Sequence, residues 1–498
     1  MKTNDAYAQL LEKLKRVHLL GTVMELLGWD EQVHLPAGGA EQRAAQSAAL
    51  ADVQHAALSD PRLGEVLAQL EAEAATLTAD QRVVIREARK DYDRATRLPA
   101  EFVREKAELC SRAYHAWEQA RPKSDFASYA PFLEKHVALA KREAGYLGWG
   151  ERPYDYMLDL HDPGMTVALI EPLFAELKAG LVPLVRTVLA SPKRSQASAL
   201  RGFPVDKQSA FLREVTERMG FDFQHGRIDV STHPFCSGTG ADIRMTTRFA
   251  VDNPLDSLFS AIHETGHGVY EQGLPAEHAG TALGIAAGMG VHESQSRLWE
   301  NQVARSRAFW KFFEPKWRAA FPGQTAALSS EALYREINAV RPTLIRVDSD
   351  EVTYNLHILL RFELERRLFS GDLAVADLPA AWSELSQSLL GREPSCHREG
   401  VLQDVHWSGG AFGYFPSYTL GNMMAAQLWY RAETALPGLE SDFESGNFAR
   451  LLGWLRKEVH DRGRRYALPE LVERVTGAPL SPAPLLRYLR ERYLPLAG

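Results

Sequence analysis

The chain has 498 residues, 45% of them hydrophobic, enough to bury a large core. A formal net charge of −7 leaves no basic stripe of the kind that phosphate backbones demand, so nucleic acid is excluded as an expected partner. Cys110, Cys236 and Cys396 stand far apart in sequence, which predicts neither a disulfide framework nor a cysteine metal cluster and fits a reducing compartment.

The start, Met1-Lys2-Thr3-Asn4-Asp5, lacks the basic and apolar pattern of a secretion signal, and no apolar run approaches the roughly 20 residues of a membrane span. A cytoplasmic protein with no membrane partner is expected. Most of the chain carries the 3.6-residue rhythm of amphipathic helices. From Tyr7 to Leu20 the positions Leu10, Leu11, Leu14, Val17 and Leu20 form one apolar stripe, and similar stripes recur to about residue 150. Nothing resembles an interdomain tether. The chain therefore reads as one domain, 1–498, with 1–150 a helical N-terminal part and 226–430 carrying the chemistry.

Between Gly226 and Phe249 the rhythm changes. Arg227–Thr232 and Ile243–Phe249 alternate in character around Ser237-Gly238-Thr239-Gly240, which predicts a β-hairpin able to hold an extended peptide. A helix follows over 253–273, opened by Asn253-Pro254 and closed by Gly273. It carries His263-Glu264-Thr265-Gly266-His267. Histidines four apart lie one turn from each other on one helix face, so both imidazoles can grip one ion. Zn2+ suits them, because it accepts neutral imidazole and leaves positions for a carboxylate and water. Glu264, beside the first ligand, is then the general base that takes a proton from that water.

A third ligand is required, and Glu293 in Gly290-Val291-His292-Glu293-Ser294 is the candidate, returned to the metal by a second helix after a glycine-rich turn. The competing reading pairs Glu293 with Arg297 at i, i+4, and His292 and His278 are rival ligands. No Asp follows Glu293 at i+4, so the acceptors that orient the metal histidines stay unidentified at this stage.

Five segments in this order resemble the carboxypeptidase Taq family of metallocarboxypeptidases. They are His233-Pro234-Phe235; Asp242-Ile243-Arg244-Met245-Thr246; His263–His267 with His292-Glu293-Ser294; Ile345–Asp350; and Gly400–Trp407. Leu27-Gly28-Trp29-Asp30 with Arg43 and Pro163–Thr166 extend the likeness, and Ser349 stands where the family commonly has Ala. The resemblance implies a mostly α fold, a single helical saddle with a deep groove similar to neurolysin and angiotensin-converting enzyme, and a small β-sheet beside the zinc. It implies a homodimer and removal of single residues from peptide C-termini, with terminal proline resisted. The implied ligands are His263, His267 and Glu293, with Glu264 as base; Co2+ is a possible substitute for Zn2+.

A carboxypeptidase must recognise a terminal carboxylate, for which a guanidinium is best suited. Arg346 is the first choice and Arg244 the second, each against the alternative of a structural ion pair with Asp348, Asp350 or Asp242. Tyr414, ahead of Tyr418, resembles the oxyanion-stabilising tyrosine of related peptidases, and His406 is placed to donate to the same carbonyl. Gln403 and His233 are expected to contact substrate. Two other functions compete: an oligopeptidase of the same fold that cuts internal bonds, and an inactive helical scaffold with a structural metal.

Overall fold

The computed structural model describes residues 3–193, 198 and 200–498. Among the described residues helix dominates, with one small sheet. No helix among the described residues is long and apolar enough to cross a membrane. The chain divides into two compact units: Met1–Thr96 with Ser198–Ile337 and Gln427–Pro479, and Arg97–Ala197 with Asn338–Ala426 and Leu480–Gly498.

In the first unit, α1 (Thr3–Val33) buries Ala6 and Leu10 against Leu63, Leu67, Leu70, Val84 and Ile85. Leu11 and Leu14 of the predicted stripe are only half-buried at the margin of that cluster. The next helical hairpin is set by chemistry at its turn: Asp60 accepts from the Arg62 backbone N–H, and Pro61 takes the first helical position, where no N–H is needed. Asp30 and Leu27 of α1 both hold the guanidinium of Arg43, which accounts for the Leu-Gly-Trp-Asp…Arg pattern as a structural clamp.

The segment read as a hairpin is a three-stranded sheet: β1 (Gly226–Val230), β2 (Cys236–Ser237) and β3 (Ile243–Thr247), in the order β1-β3-β2. β1 and β3 run parallel, and the short β2 pairs antiparallel with β3. A hairpin is ruled out because the chain doubles back through 231–237 before β3 begins. That return is held by Thr246, whose hydroxyl meets Ser231 Oγ at 2.7 Å and accepts from the Phe235 N–H at 3.0 Å. Thr247 then ties the sheet to the following helix through Ser257 O and Ser260 Oγ.

That helix, α2 (Pro254–Glu271), is buried almost all round by Leu258, Phe259, Ile262, Val269 and Tyr270. Each such side chain contributes about 1.5–3 kcal/mol on leaving water. Asn253 makes no side-chain capping bond. Gly273 does not serve as a left-handed stop; a Cβ there would lie 2.3 Å from His460 Nδ1, so close packing requires the glycine. Gly266 has a similar role inside α2. A Cβ at this position would lie 2.5 Å from Ser296 Cα and 2.6 Å from Gln295 O, so only glycine lets α3 (Met289–Arg297) approach. After α3 the chain widens into a π-helical stretch, Leu298–Val303.

In the second unit, α4 (Tyr354–Ser370) is buried along most of its length and stops at Gly371, which has φ 88°. The Gly400–Trp407 segment is pinned within this unit, where Trp117 Nε1 donates to Leu402 O.

Candidate metal centre and active site

α2 places His263 and His267 on one face with ring centroids 4.9 Å apart, and α3 brings Glu293 to them. One ligand atom from each of the three residues lies within 4.8 Å of the other two. Glu293 Oε2 is 3.5 Å from Nε2 of His263 and 3.5 Å from Nε2 of His267. Those separations are long for hydrogen bonds. They match the edge of a tetrahedron, about 3.4 Å when each bond to a central ion is about 2.1 Å. With the three ligand atoms all within 4.8 Å of one another, the side chains could hold one divalent ion, and three protein ligands would leave a four-coordinate ion one further position. Glu293 also answers the rival reading, because its Oε1 takes Arg297 Nε at 2.6 Å while Oε2 stays with the imidazoles.

The acceptor missing from the sequence reading is Glu300. His263 Nδ1 lies 2.9 Å from its Oε2, which also accepts from Arg297 Nη1 at 3.0 Å, while Oε1 accepts from Arg305 Nη2 at 3.2 Å. A visible signal existed, since residues 293 and 300 are two helical turns apart and share a face. His292 stands outside the three-residue cluster: its Nδ1 meets His267 Nδ1 at 2.5 Å and its Nε2 meets Glu271 Oε1 at 2.9 Å. His278 ends a short 3-10 turn outside the cluster.

Burial pushes Glu293 up, but Arg297 and His263 outweigh it and hold the carboxyl well below its usual range. Burial likewise raises Glu300, and Arg297 with His263 brings it down to about 2. His263 is lowered by burial, yet Glu293 and Glu300 leave it raised overall. His267, lowered by burial and then by His292, falls to about 3 and is neutral at pH 7. Two carboxylates held ionised, Glu293 against both histidines and Glu300 against His263, form an environment suited to a cation. Glu264, only 6% exposed, is pushed by burial up to about 7 despite His263, which poises it to accept a proton near neutrality.

The other predicted residues divide by environment. Arg244 forks onto Asp242 at 2.8 and 3.0 Å and stacks 4.1 Å from the Trp29 ring, which Arg227 also covers at 4.9 Å. His233 is exposed, and its carbonyl accepts from Ser231. In the second unit, Arg346 is buried, with Nε on Asp404 at 2.9 Å and Nη1 on the Tyr354 hydroxyl at 3.1 Å. No hydrogen bond engages its Nη2 among the described residues. Asp404 also accepts from Arg361, and although burial raises it, Arg361 and Arg346 hold it well below the usual range. Gln403 has its amide occupied by backbone: it accepts from Arg346 N and donates to Leu344 O and Glu399 O. It fixes the Arg346 turn.

His406, Tyr414 and Tyr418 form one group. Tyr418 Oη lies 3.5 Å from His406 Nε2, the His406 and Tyr414 rings are 5.5 Å apart, and the two tyrosine rings 5.3 Å apart. Burial lowers His406 to about 4, opposed by Asp404 and helped by Arg346, so it is neutral at pH 7. Sequence reasoning missed Glu365. This fully buried carboxylate accepts from Tyr154 Oη, Trp407 Nε1 and Gly413 N at 2.8, 2.6 and 2.8 Å, fixing the turn before Tyr414.

A helical scaffold presenting H-E-x-x-H, a distant glutamate and a desolvated base defines a metallopeptidase. The model of the carboxypeptidase Taq (M32) metallopeptidases matches residues 9–493, and the chain belongs to that family. It is 44% identical to thermostable carboxypeptidase 1 of Thermus thermophilus over 100% of both chains, and 38% identical to carboxypeptidase 1 of Bacillus subtilis over 99% of both. Among solved structures, the M32 carboxypeptidase of Deinococcus radiodurans superposes with a TM-score of 0.95 at 44% identity, covering 99% of this chain and 100% of that one. Metallocarboxypeptidase 1 of Trypanosoma cruzi gives 0.95 at 34% identity, covering 98% and 99%. The chain is a metallocarboxypeptidase that depends on a divalent metal and acts on peptides.

Proposed function

We propose that the enzyme uses zinc, with Co2+ able to replace it, to release single residues from peptide C-termini with broad side-chain preference. The observation that carries this reading is the gathering of His263, His267 and Glu293 with ligand atoms within 4.8 Å of one another, next in sequence to the buried Glu264. His263, His267 and Glu293 hold the ion, which when bound polarises the scissile carbonyl and acidifies water. Glu264 accepts the proton of the attacking water and returns it to the leaving amine. A terminal proline is a poor substrate because its ring is part of the scissile tertiary amide and obstructs the nitrogen that Glu264 must protonate.

Arg346 recognises the terminal carboxylate. Asp404 and Tyr354 hold its Nε and Nη1, which leaves the Nη2 edge for substrate. Tyr414, oriented through Gly413 and Glu365, donates to the developing oxyanion, and neutral His406 donates beside it. Tyr418 lines the same group and Gln403 acts by holding Arg346; Arg244 is the alternative partner of the terminal carboxylate, and His233 contacts the substrate end. In this reading the enzyme is a cytoplasmic homodimer, and its three free cysteines are consistent with a reducing compartment.

The test is mass spectrometry of a mixed peptide pool incubated with the metal-loaded enzyme, with and without chelator. Ladders shortened from the C-terminus, abolished by chelator and stalled before proline, are expected. Internal fragments would favour the oligopeptidase, and an unchanged pool the inactive scaffold.

A further inference from the structure

We infer that His292 and Glu271 form a positioning relay that fixes the ring of His267 as an Nε2 metal ligand. The inference rests on the ligand set proposed above. For His267 to offer its Nε2 lone pair to an ion, its Nδ1 must carry the proton. That proton points at His292 Nδ1, 2.5 Å away, which must then be the bare nitrogen of the second ring. The His292 proton accordingly sits on Nε2, and 2.9 Å beyond it lies Glu271 Oε1, which only accepts when ionised. Each contact dictates the next, so one carboxylate at the end of α2 selects the tautomer of two imidazoles in turn.

The surroundings favour a single arrangement. The His267 and His292 rings lie 4.6 Å apart, and Tyr270 packs edge-on against His292 at 5.1 Å. Side-chain exposures of 18% for His292 and 13% for Glu271 leave both mostly shielded from water. Tyr270 is itself held, its hydroxyl accepting from the Ala287 N–H at 3.2 Å in the turn that leads into α3. The two metal histidines thus have different supports. His263 gives its Nδ1 proton directly to Glu300, whereas His267 reaches its carboxylate through an intervening imidazole. Outer groups of this kind raise ligand basicity and hold ring orientation, and their loss commonly costs about 10- to 100-fold in metal affinity.

The alternative is that Glu271–His292 merely staples α2 to α3. The two roles separate under substitution, because asparagine places an amide oxygen where His292 Nδ1 stands, whereas leucine places none. The experiment measures the zinc dissociation constant by chelator competition for the full-length wild type, His292→Leu, His292→Asn and Glu271→Ala, alongside the melting temperature of each apo protein. We expect His292→Leu to bind zinc about 10- to 100-fold more weakly, Glu271→Ala to be weakened in the same direction, and His292→Asn to recover most of the loss, with the recovery unrelated to apo stability. Wild-type affinity in His292→Leu, or equal weakness in the Leu and Asn variants, would overturn the relay. Failure of the wild type itself to bind zinc would instead refute the ligand set. Should His292→Leu fail to fold, Glu271→Ala against Glu271→Gln decides, since the amide oxygen of Gln still accepts from His292 and should keep the affinity.

Discussion

The imidazole of His263 lies between two carboxylates, with Glu300 2.9 Å from Nδ1 and Glu293 3.5 Å from Nε2. Glu300 is itself buried and held by Arg297 and Arg305, so it cannot swing away to take up the metal. Replacing it by alanine takes one partner from two half-buried guanidiniums, Arg297, which keeps Glu293, and Arg305, which keeps Asn301 and the Ile337 carbonyl, and frees the His263 ring. Glu300→Ala should destabilise the protein by about 1.5–3 kcal/mol and weaken zinc binding about 10- to 100-fold. Glu300→Gln, which keeps an acceptor, should lose less of both. Denaturant unfolding and chelator competition report the two quantities, and wild-type zinc affinity in Glu300→Ala would remove Glu300 from this role.

Close approach of α2 and α3 depends on a missing side chain. A methyl group on Gly266 would lie 2.5 Å from the Cα of Ser296, three residues after Glu293, and backbone cannot yield there as a flexible side chain would. Gly266→Ala should therefore cost about 1–3 kcal/mol through overpacking and loosen zinc by displacing Glu293. Unchanged stability and metal affinity would show that the helices have room to spare.

Glu365 predicts a pH dependence whose sign follows from its surroundings. Burial pushes it up to about 7, outweighing the bonds from Trp407, Gly413 and Tyr154. The folded protein thus binds this proton more tightly than the unfolded chain, whose ordinary value is near 4.5. Its contribution is full below about pH 4.5 and is lost as pH rises through about 7. A shift of this size corresponds to about 3 kcal/mol. Glu365→Gln should shrink the stability difference between about pH 5 and pH 8 by about 2–3 kcal/mol, read from urea unfolding at each pH. A variant with the same pH slope as wild type would show that Glu365 does not titrate in this range.

Much of the candidate metal cluster was legible because its signals are local. Two histidines one turn apart and a proline-started helix need no knowledge of distant partners, and Glu293 followed from the geometry of paired helices. Glu300 was missed because an acceptor was sought at i+4 of Glu293, a position that Arg297 occupies; the carboxylate stands one turn further, where the helix widens. The sheet was misread because alternation marks strands without giving their direction. Only the return through Phe235 and Thr246 makes β1 and β3 parallel. Asp404 and Glu365 were not assigned at all. Their meaning comes from Arg346, Arg361, Tyr154 and Gly413, which are distant in sequence and meet them only in the folded unit.

The proposed carboxylate-binding role of Arg346 predicts a dependence on the substrate's chain end. If Nη2 receives the terminal carboxylate, Arg346→Ala should lower kcat/KM for free-ended peptides by about 2–4 kcal/mol more than for C-terminally amidated ones. The comparison between substrates cancels any general loss from unpairing Asp404. Equal losses on both would assign Arg346 to structure alone.

The general-base role of Glu264 separates binding from turnover. Glu264→Gln should retain one zinc per chain by elemental analysis while losing nearly all peptide hydrolysis. Normal turnover by that variant would contradict the mechanism.

The most direct measurement is an anomalous-scattering map of the zinc-loaded crystal collected at the metal edge. It should show a single peak about 2.0–2.2 Å from Nε2 of His263, Nε2 of His267 and an oxygen of Glu293. A peak at other side chains, or none in protein shown to carry zinc, would contradict the account.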